Sequence, residues 1–501
     1  MRFCLTPIAR LAHALPLLGL ALLAGCAAGP DYVRPDLSLP QRYTAQPLAG
    51  ETAPATGAVP AQQLSPTLDI PAQWWQAFRS DSLNTWVQAS LAHNPNVDAA
   101  QAALRAAHEN AEAERAAFWP SATLNYSPMR QRVAGVLASP LASNATTYNL
   151  HTAQLSVSYA PDVFGGTRRA VEAAQAQTEQ QRFQLEATYL TLSANVVTAA
   201  INEAALRAQR RATLAIIAEQ KDVLQGYRAQ QALGQMAPAD VDAQAAALAT
   251  TEATLPPLDK QLAQQRNQLA TLAGRYPADD DAGVQFDLDA FELPAALPLS
   301  LPSHLVEHRP DVRAAEAQLQ AASAGIGVAV AARLPSLQLG VNAGSSAAVL
   351  SQLFTSSTAF WTLAAGVTQP LFDGGALKHR EAAARANFDQ AAAQYRATVL
   401  GAFQDVANAL DAIDADTRAL RTAIDAERAN ARSLARARTQ LQLGDASPLA
   451  VRVAEQAWQQ SLLSLAQARA ARLTDTAALF QALGGGWWNR PDAVAQATAA
   501  H

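Results

Sequence analysis

The sequence predicts a mainly α-helical chain that carries a few membrane-type β-strands and is built as a two-fold internal repeat. Three observations lead there. Pro and Gly punctuation recurs in one order at a nearly constant offset. Two stretches, Thr167 to Leu233 and Ala376 to Leu443, contain no Pro and one Gly each. Four short segments alternate between apolar and small or polar residues.

Composition narrows the classes. The chain has 501 residues, 50% hydrophobic but only 16% charged and 6% aromatic, with Ala supplying much of the apolar share. A formal net charge of -5 gives no basic field to concentrate phosphates, which excludes a nucleic-acid partner. Two cysteines make neither a disulfide framework nor a Cys-based zinc site. No run of 18 apolar residues is present, so helical membrane spans are not expected.

The N-terminus reads as an address and an anchor. Arg2 and Arg10 precede the apolar stretch Leu15 to Ala24, the length of a signal-peptide core and too short for a mature span. It ends in Leu23-Ala24-Gly25-Cys26, which resembles a bacterial lipobox, so residues 1–25 are expected to be a leader and Cys26 the lipidated first residue. Ala27 rather than Asp follows, the pattern that sends Gram-negative lipoproteins to the outer membrane. Several acyl chains, at about 0.8 kcal/mol per buried CH₂, make a stable anchor. Removing the leader lowers the charge to about -7. Residues 26–70 carry Pro30, Pro35, Pro40, Pro47, Pro54, Pro60 and Pro66, spaced so that no helix or central strand runs through. An extended strap is expected there.

Two repeats follow, expected at 71–294 and 295–488, with a disordered tail at 489–501. His93-Asn94-Pro95-Asn96-Val97 matches His308-Arg309-Pro310-Asp311-Val312 at an offset of 215, as Pro120-Ser121 matches Pro335-Ser336. Phe164-Gly165-Gly166 aligns with Asp373-Gly374-Gly375 at 209, and Leu233-Gly234 with Pro238 aligns with Leu443-Gly444 and Pro448 at 210. Ala273-Gly274 aligns with Leu483-Gly484 at 210 as well. Each repeat should contain a short helix (Pro95 to Phe118; Pro310 to Arg333), two strands, a long helix (Thr167 to Leu233; Ala376 to Leu443) and a returning helix (Pro238 to Ala273; Pro448 to Leu483). Leu185, Leu192, Ala199 and Leu206, with Tyr189 and Val196, form a heptad seam. At 1.5 Å per residue the long helices reach about 100 Å. Gly234 and Gly444 suit the positive φ of a helix C-terminus, and Pro256-Pro257 should kink the first returning helix.

The strands are expected at Ser121 to Val133, His151 to Tyr159, Ser336 to Gly344 and Trp361 to Thr368. In the first, Ala122, Leu124 and Tyr126 alternate with Thr123, Asn125 and Ser127. Such alternation suits a half-buried soluble sheet or a transmembrane barrel with a wet lumen. In lipid, four strands cannot close a barrel and open edges are forbidden, so the chain would have to oligomerise. The arithmetic permits a dimer, trimer or tetramer.

Together these residues resemble the outer-membrane efflux proteins, the TolC-like family. The likeness is greatest to the lipidated, NodT-type branch serving resistance-nodulation-division pumps. The resemblance rests on Gly29-Pro30-Asp31-Tyr32 with Arg34-Pro35, on Trp74-Trp75 with Phe78 and Leu83, and on Asn94-Pro95-Asn96-Val97. Asp162-Val163-Phe164-Gly165, Leu371-Phe372-Asp373-Gly374-Gly375 and Ala482-Leu483-Gly484-Gly485-Gly486-Trp487 complete it. It implies a homotrimer with a 12-stranded transmembrane β-barrel and a long α-helical barrel in the periplasm. It implies a passive exit duct for small molecules, joined to an inner-membrane pump through a periplasmic adaptor. Gly165, Gly166, Gly374 and Gly375 then mark strand-to-helix turns. Gly234 and Gly444 mark a gated tip, with Asp240, Asp242, Asp445 and Arg452 as gate candidates. The second-repeat counterpart of Asp240 is Ala450, so a ring of acids at that site is absent. Asp240 and Asp445 equally suit helix N-termini, where the dipole favours carboxylates.

No enzyme, cofactor or metal is expected. His304-Leu305-Val306-Glu307-His308 fits a zinc-protease spacing, but Arg309-Pro310 should break the helix that the two His need. Gly325-Ile326-Gly327 has Val330 where a dinucleotide loop needs Gly, and Trp487-Trp488 reads as packing or capping. On the same fold the alternatives are a metal-ion duct or a type I protein-export channel. Off it, the alternative is a periplasmic coiled-coil structural protein.

Overall fold

The computed structural model describes residues 28–45, 50–52, 61–137, 144–279, 285–299 and 302–490. The expected leader, Cys26 and the tail beyond Arg490 lie outside them. The chain divides into two compact units, one of residues 1–35, 104–180 and 315–395, the other of 36–103, 181–314 and 396–501. No helix among the described residues is long and apolar enough to cross a membrane.

The elements follow the punctuation. Strand β1 is Gln63–Ser65; helices α1 (Asp81–His93) and α2 (Pro95–Arg115) precede the hairpin β2 (Ser121–Arg132) and β3 (Thr147–Tyr159). Helix α3 runs Gly166–Ala232, then α4 (Pro238–Glu252), α5 (Leu255–Leu272) and β4 (Ala296–Pro298). The second repeat gives α6 (Pro302–His308), α7 (Pro310–Ala331), β5 (Ser336–Ala347), β6 (Ala359–Thr368), α8 (Ala376–Leu443) and α9 (Pro448–Ala482).

The first unit holds the sheet. Its four strands are antiparallel in the order β2-β3-β5-β6, so the central β3–β5 pairing joins the two repeats. Residues 28–35 of the strap belong to this unit and have no regular structure, whereas its far end, expected to be extended throughout, forms strand β1 in the other unit. Gly29 lies on Gly327, where an added Cβ would come within 2.4 Å of the Gly327 Cα. The Arg169 guanidinium holds Asp31 at 2.5 Å and Glu172 at 2.7 Å, and Arg34 pairs with Glu316 at 3.1 Å. Of the Gly325-Ile326-Gly327 motif, Gly327 therefore serves a close approach of the strap backbone to α7, while Gly325 faces open space.

The second unit holds most of the buried side chains. Trp74, Phe78, Leu83 and Val87 are buried, and Trp74 stacks on Phe480 at 5.5 Å. In α3 nearly every residue from Leu192 to Ala205 is buried, including Ala194, Ala199, Ala200, Ala204 and Ala205. The expected heptad seam is thus too narrow a description, since Leu185, Tyr189 and Leu206 are only half-buried. Small side chains let this helix be surrounded by neighbours rather than face one. Gln62 is buried and locks β1 in place. Its amide donates to Pro294 O at 2.7 Å, its carbonyl accepts from Arg472, and β1 pairs in parallel with β4.

Three further expectations change. Pro256-Pro257 gives a break rather than a kink, because Leu255 starts a new helix with Pro in its first turn. The counterpart α9 runs unbroken for 35 residues. Asn489 and Arg490, expected in the disordered tail, are held: Asn489 donates to Asp69 at 2.9 Å, and Arg490 to Glu186 at 2.5 Å. Finally, the break at Arg309-Pro310 comes after both histidines, so His304 and His308 share α6 with ring centroids 5.9 Å apart.

Candidate functional site

The sheet presents two chemically distinct faces, fixed by its register. On one face the rows Ala122–Val157–Val341–Leu363 and Leu124–Leu155–Ala343–Trp361 run across all four strands. Several of these side chains stand bare: Leu124 is 79% exposed, Trp361 77% and Leu363 70%. On the other face the row Thr123–Ser156–Asn342–Thr362 runs across, beside Asn125–Gln154–Gly344–Phe360. Here side chains form a polar ladder. Gln154 Nε2 donates to Asn342 Oδ1 at 2.9 Å and to Ser156 Oγ at 2.8 Å, and the Thr152 and Ser346 hydroxyls meet at 3.1 Å. Gly344 admits the close approach of Ala153 O, and the Phe360 ring covers the space it leaves. An apolar face exposed on this scale needs an apolar solvent or a partner.

Strands β2 and β6 are the edges, and neither pairs outward among the described residues. Each leaves a row of main-chain donors and acceptors open, which a hydrocarbon phase does not tolerate.

The strand-to-helix turns are built alike. After β3, Gly165 takes φ +77°, Gly166 is the first residue of α3, and the Asp162 carboxylate accepts from Thr167 N–H at 3.1 Å and Arg168 N–H at 2.8 Å. After β6, Gly374 and Gly375 take φ +65° and +92°, and Asp373 accepts from Leu377 N–H at 2.7 Å and Gly375 N–H at 2.8 Å. These N–H donors hold the Asp373 carboxyl below the usual carboxylate range. In both turns a carboxylate satisfies the orphan amides of a helix start.

The turns that end α3 and α8 are also a matched pair. Gly234 (φ +73°) donates to Gln231 O at 2.9 Å while Gln235 N–H reaches Gln230 O at 2.9 Å. Gly444 (φ +81°) donates to Leu441 O at 3.1 Å while Asp445 N–H reaches Gln440 O at 2.8 Å. Both are Schellman caps. Asp240 lies in the first turn of α4, as its helix-start reading requires. Asp445 does not start a helix: its amide closes the end of α8, and Ser447 caps α9 by accepting from Ala450 N–H at 3.3 Å.

Of the gate candidates, Asp240 and Arg452 both act electrostatically on Tyr227. Burial dominates in pushing the Tyr227 hydroxyl pKa up; Arg452 opposes this, and Asp240 and Glu455 add to it. Asp242 and Asp445 are exposed and make no ion pair among the described residues. Residues that sequence reasoning missed hold the helices here. Arg438 of α8 pairs with Glu219 of α3 and lies 3.9 Å from the buried Glu455 of α9, whose carboxyl pKa is raised by that burial. Trp458 Nε1 donates to Glu427 at 3.2 Å. A lone Trp in an Ala-rich helix was the available signal; the Arg438–Glu219 pair, across 219 residues, had none.

The histidines pack instead of ligating. His308 stacks on Trp488 at 4.0 Å, its carbonyl accepts from Trp487 Nε1 at 2.6 Å, and burial lowers its ring pKa. Among the described residues no group of three His, Cys, Asp or Glu is placed to hold a metal ion.

The family model described as outer membrane efflux protein matches residues 86–275 and 301–485. The two matches start 215 and end 210 residues apart, the offsets of the repeated punctuation. The chain is 31% identical over 453 residues to the pyoverdine export outer membrane protein OpmQ of Pseudomonas putida, covering 87% of this chain and 94% of that one. It is 30% identical over 478 residues to the toluene efflux pump outer membrane protein TtgC of Pseudomonas putida, covering 94% of each. Among solved structures, the outer-membrane channel OprN superposes with a TM-score of 0.81 at 27% identity, covering 92% of this chain and all of that one.

Proposed function

The chain belongs to the outer membrane efflux protein family, and from that premise we propose that it is the outer-membrane duct of a tripartite efflux system, assembled as a homotrimer. The observation that carries this reading is the four-stranded sheet, apolar on one face, polar on the other and open at both edges. Three copies supply twelve strands, and joining each β6 to the next β2 satisfies every edge. The apolar rows then face lipid and the Thr, Ser, Asn and Gln rows line a wet lumen.

The mature N-terminus is held to the outer membrane by lipid on Cys26. The helices extend into the periplasm, with the Gly234 and Gly444 turns at the tip. There the duct meets a periplasmic adaptor and, through it, an inner-membrane resistance-nodulation-division pump. The cargo class is small organic molecules, which the names of the pyoverdine-exporting and toluene-efflux relatives support. Transport is passive in this component: side chains line a path and no bond is made or broken.

Deletion of the gene tests the reading. Cells lacking it should accumulate more of a panel of drugs and dyes, and the intact chain should restore extrusion. Unchanged accumulation across the panel would overturn the assignment.

A further inference from the structure

We propose the register of the seam between copies: Met129 of β2 in one copy lies directly opposite Ala364 of β6 in the next. The proposal rests on the trimeric reading above and adds to it which residues meet.

Main-chain directions limit the choices. Val133 N–H donates to Thr146 O at 2.8 Å, so odd-numbered residues of β2 turn their amides toward β3 and even-numbered ones toward the open edge. Ser346 N–H donates to Thr358 O at 2.9 Å, so even-numbered residues of β6 face β5 and odd-numbered ones face the open edge. Pro128, which has no N–H, is among the outward residues of β2 and therefore costs no bond within the chain.

The internal repeat then selects one register. The hairpin pair Ser121↔Ser158 corresponds to Ser336↔Thr368, so the first strands are related by 215 and the second strands by 210. Within the chain, β3 of the first repeat pairs with β5 of the second: Gln154↔Gly344, Val157↔Val341, Ser158↔Gly340. The same relation carried across the open edges pairs β6 with β2 of the next copy. It sets Ala364 against Met129, Val367 against Tyr126 and Thr368 against Asn125.

The parity of the two edge strands agrees with this result in two linked ways. The outward odd residues of β6 meet the outward even residues of β2, so hydrogen-bonding groups face one another. The faces also match: Val367 and Tyr126 both belong to the apolar face, Thr368 and Asn125 to the polar one. Beyond the strands, the register brings Leu371 and Phe372, 94% and 93% exposed here, alongside the start of β2 in the next copy and near its 74% exposed Trp119. The seam would cover three strongly exposed apolar side chains.

Disulfide trapping in the full-length protein, in outer membranes, reads the register. Met129 and Ala364 form a pair without mutual hydrogen bonds, with Cα atoms about 4.5 Å apart, inside the disulfide range of about 4.4–6.8 Å. A shift by two residues places the Cα atoms about 8 Å apart, beyond that range. Met129→Cys with Ala364→Cys should give a covalent ladder ending at three chains on oxidation, absent from either single variant. Asn125→Cys with Thr368→Cys should repeat it at the other end of the seam. Ser127→Cys or Gln131→Cys with Ala364→Cys should give at least tenfold less. A ladder favouring one of these shifted pairs overturns the register and leaves the oligomeric barrel standing. No ladder with any pair, in protein that migrates as a monomer, overturns both.

Discussion

Gly29 of the strap rests on Gly327 of α7 at a separation no side chain could occupy. A Cβ on Gly327 would meet Arg169 Cγ at 2.6 Å and Ala28 O at 2.8 Å. Ala28 N–H in turn donates to Phe164 O at 2.9 Å, beside the Gly165 turn. The strap is thereby fixed to the end of the sheet by backbone contacts and by the Arg169 ion pairs.

Gly327→Ala should release the strap. In an open helix interior the change would stabilise by about 1 kcal/mol. Here the methyl group displaces Ala28 and the Arg169 stem. Limited proteolysis should cut between residues 28 and 40 at least tenfold faster in the variant than in the parent.

Arg309 is the second fixed point. Its guanidinium donates to Asp311 at 2.6 Å, Asp405 at 3.0 Å and Ala482 O at 3.2 Å, joining the start of α7 to α8 and the end of α9. Burial alone would lower its pKa, but the two carboxylates more than offset that, and the pKa is raised. Arg309→Ala leaves Asp311, Asp405 and a carbonyl without their cation. The Arg309 side chain is mostly buried but Asp311 and Asp405 are about half exposed, so the loss should be about 1–2 kcal/mol, seen as a lowered thermal midpoint. Arg309→Lys should recover only part, since one ammonium cannot span the three acceptors.

Asp416 of α8 and Asp475 of α9 share a hydrogen bond beside the buried Arg472. Burial first, then Asp475, pushes the Asp416 carboxyl up to about 6, while burial pushes Arg472 down to about 10. A carboxyl whose pKa is raised on folding contributes stability that is full below its ordinary value of 3.8 and lost as pH rises through about 6. Thermal midpoints of the parent should therefore fall across pH 4 to 7 more steeply than those of Asp416→Asn. Equal slopes would remove the pair from the account.

Asp240 tests the tip. It lies in the first turn of α4, where the second repeat has Ala450, and its charge and that of Arg452 act in opposite senses on Tyr227. Asp240→Ala should raise single-channel conductance in a planar bilayer. An unchanged conductance would leave Asp240 only the helix-start role that the dipole favours.

What could be read in advance follows the reach of the interactions. Pro and Gly act locally, so they mark α8 at Ala376 to Leu443 and α3 to within a residue at each end. Alternation is local too, and it located all four strands of the large sheet, short by up to four residues at the start of β3. Strands β1 and β4 have three residues each, too few to show a period, and depend on Gln62 meeting Arg472 across 410 positions. Arg309 and Arg438 were invisible as organising residues for the same reason, since their partners lie on other helices. Pro256-Pro257 marks an interruption without its kind, because a proline can open a helix as readily as it can bend one.

The central claim is that one chain's four strands are a third of a closed wall. The most direct test is the mass of the complex extracted in mild detergent, measured by native mass spectrometry. The account predicts one species of three lipidated chains, stable on dilution. A monodisperse monomer would contradict it, because an open-edged four-stranded sheet has no stable place in a bilayer.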